Sequence, residues 1–100
     1  MILVPAESVE WLEAARNYVR LHAGGESHLP RAALSDLEGR LDPDAFVRVH
    51  RSAIVNLDAV PRFEPASHGD WRVFLRGGAT VRLSRRYRGR LETLLGGPGG

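Results

Sequence analysis

The sequence predicts a mostly β domain with one central and one C-terminal helix. Short apolar runs with strand-like composition recur along the chain, each bounded by glycine, proline or a polar cluster. Only two stretches space their leucines as a helix would. At 100 residues the chain is one domain's worth, enough for a single modest core.

Residues 9–13 and 18–22 read as strands, and Gly24-Gly25 as a turn before a short strand at 27–29. A helix is expected over 31–41, where Leu34, Leu37 and Leu41 fall at i, i+3 and i+7. Asp42-Pro43 ends it, because proline disfavours the helical region in the residue before it. Strands follow at 46–50, 53–55, 60–63, 71–75 and 80–83, with Gly77-Gly78 as a hairpin turn between the last two. Ser84 is a good N-cap for a final helix, whose inner face carries Tyr87, Leu91, Leu94 and Leu95. Trp11, Leu12, Val19, Leu21, Phe46, Val49, Ile54, Val55, Trp71, Phe74 and Leu83 are assigned to the core. Gly96-Gly97-Pro98-Gly99-Gly100 cannot hold a helix, which leaves a domain at 1–95 and a flexible tail at 96–100.

Composition removes several functions. Cysteine is absent, so disulfides, thiolate metal sites and a cysteine nucleophile are excluded. No apolar run approaches the roughly 20 residues needed to span a bilayer. The opening Met1-Ile2-Leu3-Val4-Pro5 is too short for a signal peptide and has no basic stretch. A cytoplasmic protein is the expectation.

Charge is distributed unevenly. Lysine is absent, and all 14 basic residues are arginine. Residues 1–44 hold four arginines against eight acids, a net of −4; residues 45–100 hold ten against four, a net of +6. The second half therefore suits a polyanion, or is a solvated face in an arginine-biased protein.

Three stretches could carry chemistry. His50, Arg51 and Ser52 sit between two apolar runs, as in an exposed loop or strand end. Arginine there can donate two bonds to guanine, while serine and histidine suit phosphate oxygens. The same residues could instead bond backbone groups at a hairpin corner. In the second stretch, capping by Ser84 puts Arg85 and Arg86 in a first helical turn. Cations oppose the helix dipole there, at a cost of roughly 0.3–1 kcal/mol each, and a bound phosphate would reverse the penalty. The competing use of these arginines is pairing with acids such as Glu92. In the third, Arg16 and Asn17 tip a tight connection, where Asn17 could read adenine or supply turn geometry.

Catalysis finds little support. His50, Ser52 and Asp58 lack a nucleophile-elbow signature, and His22, His28, His50 and His68 show no paired metal-ligand spacing. Neither an enzymatic role nor a cofactor is expected.

Taken in order, these segments resemble the LytTR DNA-binding domain of bacterial response regulators. Phe46-x-Arg48-Val49-His50-Arg51-Ser52-x-Ile54-Val55-Asn56 is similar to its F-x-R-V-H-R-S-x-x-V-N signature. Trp11-Leu12-Glu13-Ala14 with Asn17-Tyr18-Val19 resembles its I-E-A…N-Y-V segment. The stretch from Gly78 to Val81-Arg82-Leu83-Ser84-Arg85-Arg86-Tyr87 resembles G-x-x-L-x-V-S-R-R-Y, and 34–41 fits the intervening L-x-x-L-E-x-x-L helix. The likeness covers about residues 2–95.

The resemblance implies short antiparallel sheets, and loops rather than a recognition helix entering successive major grooves on one face of double-stranded DNA. By position, Asn17 or Tyr18, Arg51 and Arg86 would face bases. His50, Ser52, Arg85 and Arg16 would face phosphates. Arg82 departs from the pattern, standing where a proline or apolar residue is usual, and adds a phosphate candidate. Ala53 stands where the family often has a larger residue. Asn56 follows an apolar run and is expected to stabilise the loop rather than touch DNA. Also implied are binding as two copies on direct repeats and a separate receiver or sensor domain; so small a domain is expected to be a monomer that pairs on DNA. A non-specific polyanion or acidic-protein interaction module is the alternative.

Overall fold

The computed structural model describes residues 4–95. The glycine-rich stretch at 96–100 lies outside them. A 3-10 turn at Ala6–Ser8 leads into β1 (Trp11–Ala15), β2 (Tyr18–Ala23) and β3 (Glu26–His28). Then come α1 (Leu34–Glu38), β4 (Phe46–His50), β5 (Ala53–Asn56), β6 (Arg62–Pro65), β7 (Trp71–Phe74), β8 (Thr80–Leu83) and α2 (Arg88–Leu94). β3-β2-β1-β5-β4 form one sheet and β6-β7-β8 a second, with antiparallel neighbours throughout. The mostly β, antiparallel expectation is met.

Alternation along β4 and β5 sends their apolar side chains to two opposite faces. Val47, Val49, Ala53 and Val55 face the second sheet and α2, where they meet Val73, Leu75, Val81, Leu83 and Leu91. Phe46 and Ile54 face the other way, onto Leu12, Val19 and Leu34. The five-stranded sheet is thus covered on both sides along β5, which loses polar alternation, whereas β4 keeps it through the half-buried Arg48 and His50.

The hairpin turns follow backbone demand. Gly24 and Gly25 both take positive φ (58° and 86°), as a two-residue hairpin turn of the favoured hand requires. At the β7–β8 turn, a Cβ on Gly77 would lie 2.8 Å from the Glu10 carboxylate. That carboxylate instead accepts the Gly77 N–H at 2.8 Å and ties the two sheets together.

Several expected boundaries move. The helix foreseen over 31–41 shrinks to five residues, because the Ala32 N–H donates to the Asn17 carbonyl (3.1 Å) and the Val19 N–H to that of Pro30 (3.0 Å). Residues 30–32 are thereby held extended beside β2. β6 starts at Arg62 rather than 60, because Asn56 caps a 3-10 turn over Leu57–Ala59. The final helical segment opens with a 3-10 turn, Arg85–Tyr87, before α2. Among the expected core residues, Trp11, Leu21, Trp71 and Phe74 are only half-buried. Trp11 stacks on His22 (centroids 4.1 Å apart), and Phe74 points outward under the Arg62 guanidinium, 4.0 Å from its ring centroid.

Candidate nucleic-acid interface

Register brings the three sequence-marked stretches to one corner. β1 and β5 are antiparallel neighbours with Glu13 opposite Ala53. The turn leaving β1 (Arg16 and Asn17) and the turn entering β5 (Arg51 and Ser52) therefore share an edge. The Ala14 N–H donates to the Ser52 carbonyl there (2.9 Å). The Ser84 N–H donates to the Val49 carbonyl (2.8 Å), which delivers Arg85 and Arg86 to the same corner.

The β4–β5 turn is braced from below. Its register slips between Arg48 and His50, a bulge that re-aims the side chains following it. The Arg48 guanidinium donates from Nε to the His50 carbonyl (2.9 Å), from Nη2 to the Arg51 carbonyl, and from Nη1 to Glu38 Oε1 on α1 (2.7 Å). Arg48 thus fixes the turn that carries Arg51. It was not among the residues singled out from sequence, although two-residue alternation from Phe46 places it on the α1 side of the strand.

The neutral His50 ring is held in one tautomer. The Ser52 N–H donates to its Nδ1 (3.0 Å), which demands a lone pair there and places the ring proton on Nε2. Burial pushes its pKa below the ordinary value, and Arg82, Arg48 and Arg51 push it further, against a smaller opposing pull from Glu13. A histidine with a depressed folded pKa adds stability that is complete above the unfolded value of about 6.5 and is lost as pH falls through the folded value. We expect the wild-type melting temperature to drop more on acidification below about pH 6.5 than that of His50→Asn, whose amide oxygen can accept the same N–H. Parallel acid profiles for the two proteins would show that His50 contributes nothing to this fall.

The arginines divide by their partners. Arg20, Arg48, Arg62, Arg88 and Arg90 each pair with a carboxylate, and Arg76 donates to the Asp58 carbonyl. Glu92, considered as a partner for Arg85 or Arg86, is taken by Arg88 at 3.0 Å. The side chains of Arg16, Arg51, Arg85 and Arg86 have no hydrogen-bond or ion-pair partner among the described residues, and all four residues are exposed. Arg82 reaches Asp70 only at 4.0 Å.

Local structure qualifies two expectations. The Arg85 N–H donates to Asp70 Oδ1 (3.1 Å) and the Arg86 N–H to Ser84 Oγ (3.3 Å), so both backbone donors are occupied. An anion here would be met by the arginine side chains instead. In the β1–β2 turn it is Arg16, not Asn17, that takes a positive φ (59°). That conformation is uncommon for a residue with a Cβ, and it leaves the Asn17 side chain free of a turn-forming duty. Tyr18 is 39% exposed, with the Arg31 guanidinium 6.0 Å from its ring centroid.

Asn56 stands apart from the corner. It is 3% exposed, donates from Nδ2 to the Val9 carbonyl (2.9 Å) and accepts the Asp58 N–H on Oδ1 (3.0 Å), which is a structural role. The superficial triad does not assemble either, since His50 meets the Ser52 amide rather than its hydroxyl and Asp58 follows the far end of β5. Among the described residues no helix is long and apolar enough to cross a membrane, and no His, Asp and Glu group of three or more is arranged to hold a metal ion.

Comparison with known proteins gives a consistent picture. The LytTr DNA-binding domain family matches residues 1–96. A CO-responsive transcriptional regulator, RcoM, of Rhodospirillum rubrum is 45% identical over 94 residues, covering 92% of this chain and 39% of its own length. The positive alginate biosynthesis regulatory protein of Pseudomonas aeruginosa is 37% identical over 90 residues, covering 85% of this chain and 35% of its own length. A solved LytTr DNA-binding domain of a response regulator from Bacillus cereus superposes with a TM-score of 0.87 at 30% identity, over 95% of this chain and 87% of that one. The chain spans less than two fifths of the length of these curated relatives.

Proposed function

The chain belongs to the LytTR DNA-binding domain family, and on that premise we propose that it reads double-stranded DNA sequence-specifically as the output module of a bacterial transcription regulator. The observation that carries this reading is that, of the arginines without a hydrogen-bond or ion-pair partner among the described residues (16, 31, 40, 51, 72, 85 and 86), four, 16, 51, 85 and 86, sit on three converging segments. Uncompensated arginines gathered at one corner favour a polyanion, and rigid turns suit edge recognition in a groove.

In this reading Arg51, Arg86 and either Asn17 or Tyr18 face base edges in successive major grooves. Arg16, Ser52, Arg82, Arg85 and the Nε2–H of His50 hold phosphates. Two copies bind direct repeats, each a monomer until DNA pairs them, in the cytoplasm. A separate receiver or sensor domain supplies the signal.

Selection from a random duplex pool tests the reading. Enrichment of one motif, repeated at about a helical turn, is expected. An unenriched pool that still binds with a steep salt dependence would leave only a non-specific polyanion or acidic-protein module. Arg85→Ala should weaken binding to all duplexes alike and make the slope of log K against log salt shallower by about 0.9, the loss of one phosphate contact. A changed base preference in that variant would move Arg85 to the reading set.

A further inference from the structure

The outer face of the second sheet carries a row that the loops do not account for. Glu64, Arg72 and Arg82 lie directly opposite one another across β6, β7 and β8. Like charges directly opposite on neighbouring strands destabilise a sheet, so the Arg72–Arg82 pairing is costly in the free protein. It is poorly compensated: Glu64 pairs with Arg62, and Asp70 is 4.0 Å from Arg82 while also accepting the Arg85 N–H. Arg72 has no hydrogen-bond or ion-pair partner among the described residues. Both arginines line a groove of about 390 Å³ with Asp70 and Trp71, and it also bears Ser67, His68 and Thr80, side chains suited to phosphate oxygens.

The row is continuous with the corner. Arg82 precedes Leu83 at the end of β8, and the N–H of the next residue, Ser84, donates to the Val49 carbonyl of β4. Arg82 also lies near enough to His50 to act on its charge. Apolar anchors for a protein partner are few here: Trp71 lines the groove but packs edge-on against Phe63 and the core, and Phe74, on the same face as the row, is covered by Arg62. Protein interfaces are centred on such anchors, whereas a backbone of phosphates needs only donors and charge.

We propose that Arg72, with Arg82, Ser67 and His68 around the groove, binds the phosphate backbone of DNA flanking the sequence read by the loops. This rests on the DNA-binding reading, and adds a contact surface to it.

The experiment uses the enriched motif on a duplex ending at its last base pair, and on the same duplex extended by about ten base pairs, one helical turn. Wild type should bind the extended duplex more tightly and with a salt slope steeper by about 0.9 for each added phosphate contact. Arg72→Ala should match wild type on the short duplex, lose the gain on the long one, and melt no lower than wild type because a like-charge pair is relieved. Arg51→Ala should lose motif preference yet keep the gain from extension, so a failure of base reading and a failure of the flanking contact give different results. Equal gains for wild type and Arg72→Ala would overturn the proposal and leave the row to an acidic protein surface. So would a wild-type protein indifferent to duplex length.

Discussion

Arg51→Ala is expected to weaken binding to the preferred duplex by about 1–3 kcal/mol and to relax base preference at one position. Arg51 lies at the exposed tip of the β4–β5 turn, and its guanidinium has no partner among the described residues. Its carbonyl is pinned by Arg48, which is itself pinned by Glu38. A rigid root and a free tip allow a two-donor contact with guanine without first breaking an internal bond. Titration against the motif and against its single-base variants measures the effect. A uniform loss across all duplexes would make Arg51 a phosphate contact, and no loss would remove it from the interface.

The positions of such residues were more legible in the sequence than their reasons. The apolar run at 53–55 locates β5 because burial on both faces leaves no polar residue inside it, while the alternation of 46–50 locates β4, whose Arg48 and His50 stay half-buried. Where a segment's fate depends on a distant partner, sequence reading overshoots. Residues 31–33 have helical neighbours, yet backbone bonds to Asn17 and Val19 hold the chain extended just before α1. Trp11 and Phe74 have core chemistry, but strand register places His22 beside one and Arg62 above the other.

The site shows the same division. Local pattern marked the corner residues, since polar clusters at strand ends are visible in a window of a few residues. The bracing of Arg48 by α1 required knowing that Glu38, ten positions earlier, folds back onto β4. The Arg72–Arg82 pairing required the register of β7 against β8, which a hairpin turn at Gly77-Gly78 allows but does not number. The expected use of helix-terminal amides failed for a related reason: Asp70, fifteen residues upstream, arrives to accept the Arg85 N–H.

Asn56→Ala is expected to cost about 2–6 kcal/mol of folding stability, because two polar groups lose their partner and each such loss costs about 1–3 kcal/mol. Asn56 is the single buried polar side chain among the described residues. It joins three parts of the fold: the Val9 carbonyl before β1, β5 itself, and the Asp58 N–H of the following turn. Alanine would strand both the carbonyl and the amide, which is a large fraction of the roughly 5–15 kcal/mol that holds a domain of ordinary stability together. Denaturant unfolding at fixed pH reads the change as a lower midpoint with an unaltered slope. Asn56→Asp separates the two halves of the role, since it keeps an acceptor for Asp58 but turns an oxygen toward the Val9 carbonyl. It should therefore remain destabilised, and a wild-type midpoint for that variant would exclude the Val9 bond as a source of stability. Under conditions where Asn56→Ala is folded, it should retain the base preference of wild type. A shifted preference would instead couple the buried side of β5 to the reading corner through the strand they share.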